Sequence, residues 1–115
     1  SEGLKDAATW GKRAAWVDYF GPVEGQTVGI AILDHPDNLR FPTWWHVRDY
    51  GLFAANPFGI HDFEPKTSSG ERTPANAGDY LLKKEESLTF KYRVIFHKGS
   101  DTEAEIAREY EEFIK

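Results

Sequence analysis

Apolar and polar positions along this chain fall into short runs separated by Gly/Pro turns, a pattern that predicts strands more than helices. Residues 12–20 (KRAAWVDYF) carry aromatics and Val, and residues 21–25 (GPVEG) read as a turn. Residues 26–33 (QTVGIAIL) follow with β-branched side chains, and the turn Asp34-His35-Pro36-Asp37-Asn38 completes a hairpin signature. Residues 43–48 and 52–55 read as two more strands, broken at Asp49-Tyr50-Gly51, with Asn56-Pro57-Phe58-Gly59 as a turn. Residues 64–78 are polar and rich in Gly and Pro, which predicts an exposed, mobile loop. Strands are expected again at 79–83 and 87–97. In the second, Leu88, Phe90, Tyr92, Val94 and Phe96 recur at period two and should face a core. Residues 100–115 read as a helix, with a Ser100/Glu103 capping box and Ile106, Tyr110, Phe113 and Ile114 on one face.

The pattern is one of antiparallel hairpins rather than βαβ units. The expected fold class is all-β, mainly an antiparallel β-sandwich, with one C-terminal α-helix. At 115 residues and 13.1 kDa, residues 1–115 make a single domain with a core large enough to fold without staples. Residues 1–11 read as a polar lead-in loop, and a start at Ser1 points to the C-terminal fragment of a longer protein.

Composition narrows the chemistry. There is no cysteine, so disulfides, thiolate nucleophiles and Cys-bound metals are excluded. A net charge of −5 argues against nucleic acid and anionic lipid as partners. No apolar stretch approaches the roughly 20 residues of a membrane helix. The compartment stays open between cytoplasm and periplasm.

The run from Phe41 to Phe63 holds two Trp, one Tyr, four Phe, two His, one Arg and two Asp in 23 residues. Aromatic faces beside a guanidinium, imidazoles and carboxylates are the parts from which sugar and small polar-ligand sites are built. Trp44, His46 and Arg48 fall on one face of a strand, and Trp45 and Val47 on the other. Trp44 could stack on a sugar ring, Arg48 could grip a carboxylate or vicinal hydroxyls, and His46 could move protons. The plainer alternative pairs Arg48 with Asp49 or Asp18 at a sheet rim, with Trp44 covering its stem. The four histidines (His35, His46, His61 and His97) show no H-x-H or H-E-x-x-H spacing, so no cofactor is expected, a His-bound copper being the alternative. His35 is explained by turn hydrogen bonding and His97 by exposure at a strand end.

The motifs WVDY-x-GP (16–22), DHP-x-N (34–38) and WH-x-RDYGLFAANPFG (45–59) resemble the C-terminal part of the bacterial PmoA-like, or methane oxygenase PmoA, family of unknown function. The similarity runs from about Leu4 to the end of the chain. It implies a longer whole protein and a soluble all-β fold, with this chain as half of a large sandwich akin to galactose mutarotase-like carbohydrate enzymes. Mutarotase-type chemistry needs an acid and a base on opposite sides of a ring, for which His46 and Asp49 are the candidates, Asp34 and Asp62 being alternatives to Asp49. Trp44, Arg48, Tyr50, His35, His61 and Asn56 are the candidate ligand-binding residues. The expected function is a carbohydrate-acting or carbohydrate-binding domain. A non-catalytic interaction module and, less directly, a copper site for oxidative chemistry are the alternatives. Half of a larger sandwich leaves a face uncovered, so a homodimer is also expected.

Overall fold

The computed structural model describes residues 10–115. Its strands are β1 (Lys12–Arg13), β2 (Trp16–Val23), β3 (Gln26–Asp34), β4 (Trp44–Arg48), β5 (Leu52–Ala55) and β6 (Tyr92–Lys98), with helices α1 (Ile60–Phe63) and α2 (Ile106–Phe113). They form two three-stranded antiparallel sheets, ordered β1-β4-β5 and β2-β3-β6. The all-β class with a C-terminal helix is therefore what the sequence pattern predicts. Among the described residues no helix is long and apolar enough to cross a membrane. Of the lead-in loop expected at 1–11, residues 1–9 lie outside the described residues, and Trp10 and Gly11 form a turn.

The β2–β3 hairpin turns on two residues. Val23 pairs with Gln26, and Glu24 and Gly25 both take positive φ, 51° and 81°. That geometry matches the right-handed strand twist, so β2 runs through Gly21 and Pro22 instead of stopping there. Register then fixes faces. Trp16 lies opposite Leu33, Asp18 opposite Ala31 and Phe20 opposite Gly29; across the next ladder Leu33 meets Arg93, Ala31 meets Ile95 and Gly29 meets His97. These residues share one side of the sheet. On that side α2 buries Ile106 and Tyr110 against Ala31 and Leu33, with Trp16, Ile95 and Phe113 packed around them.

The opposite side carries Val17, Tyr19, Ile30, Ile32, Val94 and Phe96, and Tyr19 meets Phe53 of β5 at 5.9 Å between ring centroids. The small β1-β4-β5 sheet thus covers only part of the larger one. Phe96 stays 77% exposed and Val94 51%.

Three elements differ from the pattern-based expectation. The run 12–20 is interrupted at Ala14-Ala15, where the chain passes from one sheet to the other. Residues 79–83 and 87–91 form no strand. The period-two face of β6 is reversed: Tyr92, Val94 and Phe96 point away from the helix-covered core, and Arg93, Ile95 and His97 point toward it. The two cations are tolerated because each finds an acid, Glu109 for Arg93 and Asp18 for His97. The capping box forms as expected, with Glu103 N donating to Ser100 Oγ and Ser100 N donating to Glu103 Oε1, each at 3.2 Å. Regular helix begins only at Ile106, after Glu105 at positive φ.

The entry of β6 is pinned by the motif at 34–38. Asn38 donates to Asp34 Oδ1 and to the Lys91 carbonyl and accepts from Lys91 N, all at 2.7 Å. Asp34 is fully buried, and its other oxygen accepts from Thr43 N at 3.0 Å. Burial pushes its carboxyl upward, while the Asn38 and Thr43 bonds hold the charged form in part.

Candidate functional site

A groove of about 1110 Å³ opens between the two sheets. Tyr19, Ile30 and Phe96 line it from the larger sheet, and Trp45 and Val47 from the smaller one. Lys12, Arg48, Asp49 and Lys98 lie on it as well. The wall is thus apolar and partly aromatic, with charge of both signs at hand. Strand alternation places it there: Trp45 and Val47 leave β4 on one side, and Tyr19, Ile30 and Phe96 leave the larger sheet on the facing side.

Residues Asp18, Gly29 and His97 also border the groove, yet the side chains of the first and last point to the other side of the sheet. There His97 Nε2 meets Asp18 Oδ1 at 2.6 Å, with the side chains 7% and 2% exposed. His97 Nδ1 lies 3.3 Å from the Lys98 carbonyl. Between the two strands stands Gly29, where a Cβ would come within 2.6 Å of His97 Nε2. An imidazole lies across the middle strand only because that position has no side chain.

Both nitrogens of His97 therefore face acceptors, an arrangement satisfied by the imidazolium. Burial disfavours that charge, but the Asp18 hydrogen bond and carboxylate and the Lys98 and Gly99 backbone prevail, and the His97 pKa rises above 6.5. Burial also raises Asp18 above 3.8, outweighing the His97 bond and charge, with Asp101 adding to the rise. The pair as a whole holds on to its proton. Asp18 Oδ2 is buried and has no hydrogen-bond partner among the described residues.

The residues singled out from sequence are dispersed. Trp44, His46 and Arg48 do alternate onto one face of β4, but Trp44 and His46 are turned from the groove, and only Arg48, at the strand end, reaches its border. Trp44 is 4% exposed; its Nε1 donates to Glu64 Oε1 at 2.7 Å and Arg13 covers its ring at 4.3 Å. The His46 ring packs edge-on against Trp10 and Phe63, with centroids at 5.7 and 5.8 Å. Arg48 lies over the Trp10 ring at 5.0 Å and borders the groove together with Asp49. Tyr50 is exposed. Asn56 Oδ1 accepts from Phe58 N, an Asx turn. His35 Nδ1 accepts from Asp37 N at 3.1 Å, and its ring packs edge-on against Phe113. His61 Nδ1 lies at 3.1 and 3.0 Å from the Thr73 and Pro74 carbonyls. Arg48 and Asp49 alone of the eight border the groove. Among the described residues no three of His, Asp and Glu gather in a way that could hold a metal ion.

Sequence reasoning missed the groove wall and the Asp18–His97 pair. One signal was present: Gly29 interrupts a β-branched strand, and an isolated Gly inside a strand marks a close approach.

A family model described as "Family of unknown function (DUF6807)" matches residues 1–111. No curated protein and no solved structure matches the chain. The match corrects the resemblance drawn from the sequence motifs, since nothing indicates a PmoA-like relationship.

Proposed function

The chain belongs to DUF6807, a family of unknown function, and from that premise we propose that it is a carbohydrate-binding β-domain whose ligand lies in the inter-sheet groove. One observation carries the reading: exposed aromatic faces, Tyr19 and Phe96, stand on the same groove as Arg48 and Asp49. A sugar has an apolar C–H face that stacks on such rings and hydroxyls that a guanidinium and a carboxylate engage together.

Binding is favoured over catalysis because neither His97 nor His46 turns its ring into the groove, which leaves Asp49 without an imidazole partner for acid–base work. General acid–base work needs a titratable group within hydrogen-bond reach of the bound ring. The His97 ring is turned to the far side of the larger sheet and bonded to Asp18, and His46 lies between Trp10 and Phe63. The reading is tested by titration calorimetry with glucose, galactose, mannose and their uronic acids. At least one should bind, and Tyr19→Ala and Arg48→Ala should each weaken it about tenfold, the scale of one stacking contact or one charged hydrogen bond. No heat from any of these sugars with folded protein would overturn the carbohydrate reading. Consumption of a bound sugar would replace binding by catalysis.

A further inference from the structure

We infer that the Asp18–His97 pair is a pH-sensitive clamp, holding β6, and with it the Phe96 wall of the groove, against β2 and β3. The clamp spans three strands. His97 reaches from β6 across Gly29 of β3 to Asp18 of β2, a bond of 2.6 Å that bypasses the central strand. Phe96, the next residue back, projects to the opposite side and into the groove. Strand β6 is at the sheet edge and pairs with β3 alone among the described strands. Anything that loosens His97 therefore acts on a strand held from one side, and moves a groove wall.

The chemistry of the two protonation states differs at both ring nitrogens. The imidazolium donates to Asp18 and to the Lys98 carbonyl. The neutral ring keeps one proton; with Nε2–H retained, the Nδ1 lone pair points at the Lys98 carbonyl and the buried carboxylate loses its counter-charge. Among the described residues the charged groups around the pair are few. From β2 there is Asp18 itself, and the stretch between β6 and α2 brings Asp101, whose charge acts on Asp18. On β6, Arg93 is engaged by Glu109 of α2 at 3.9 Å. Positions 29, 31 and 33 of β3 contribute no titratable group on this side. Burial of the pair shields it from solvent and opposes the imidazolium, but the Asp18 hydrogen bond and charge raise the His97 pKa, so the change comes above the ordinary imidazole value.

The effect on ligand rests on the groove being the binding site; the motion of β6 does not, and the experiment separates them. Hydrogen exchange of the β6 amides is measured as protection factors at about pH 6 and about pH 8.5 in the chain without ligand, bracketing the imidazole range. Protection of Val94–His97 should fall about tenfold at the higher pH, the scale of one charge-assisted hydrogen bond, while β2–β3 amides near the Glu24–Gly25 turn change little. The Asp18→Asn, His97→Gln double variant keeps the shape and removes the titration, so its protection should be flat with pH; its melting transition checks folding. Equal protection of β6 at both values in the wild-type chain would overturn the clamp. So would an equal fall in the double variant. The same two pH values are then used for calorimetry with whichever sugar binds. If the strand loosens and sugar affinity does not follow, the clamp stands and the groove reading fails.

Discussion

Replacing His97 by Ala is expected to cost about 3 kcal/mol near pH 6, read as a lower urea midpoint at unchanged slope. The cost is not that of a hydrogen bond between exposed groups. Asp18 is 2% exposed, and without His97 its carboxylate is buried with no cation against it. Removing one member of a buried pair leaves the other uncompensated, whereas removing both together is often close to neutral. Asp18→Asn in the His97→Ala background should therefore recover most of the loss.

The pH dependence follows from the signs of the two shifts. The folded pKa of His97 is raised, so its contribution is complete below 6.5 and disappears as pH climbs through the higher folded value. Asp18 is raised as well, so its ionised form weakens the fold above 3.8, and that penalty vanishes as the carboxyl protonates in acid. The gap between wild type and His97→Ala is consequently widest between the carboxylate and imidazole ranges and narrows on either side. A gap that does not vary with pH would contradict a paired, buried charge.

Trp45→Ala should be the more damaging substitution, at about 3–5 kcal/mol, the usual cost of emptying a buried aromatic site. Trp45 is completely buried, its Nε1 donates to the Ala14 carbonyl at 2.8 Å, and its ring lies 6.0 Å from Phe53. The indole joins the two sheets where the chain crosses between them, so its loss removes packing and leaves the Ala14 carbonyl without that donor. Phe96→Ala, which trims a ring 77% exposed, is the matched control and should change stability by less than about 0.5 kcal/mol. Equal losses for the two would mean that the groove face is covered in solution.

The hairpins and the capping box were legible because their causes are local. Two turn residues set Glu24–Gly25, and Ser100 meets Glu103 three positions on. The alternation of β6 was legible too, but its direction was not. Hydrophobicity assigns Val94 and Phe96 to a core and Arg93 and His97 to water. The partners that reverse this stand far away: Asp18 is 79 positions from His97. A strand's face depends on such distant acids, and no local period reveals them.

The candidate site shows the same limit. Alternation put Trp44, His46 and Arg48 together correctly, yet it could not say that Trp10 and Phe63 would roof that face. The side with Trp45 and Val47 became the groove instead.

The two sheets also differ in how far apart their strands lie along the chain. Hairpins β2–β3 and β4–β5 join neighbours, whereas β6 must return from Tyr92 to meet Asp34. Closing so long a segment costs more chain entropy and comes later in folding. In pulse-labelled refolding, the hairpin amides should gain protection before those of β6; simultaneous protection would contradict this order. A nascent molecule would then hold both hairpins while Asp18 is still hydrated, and the groove between the sheets would be the last part to exist.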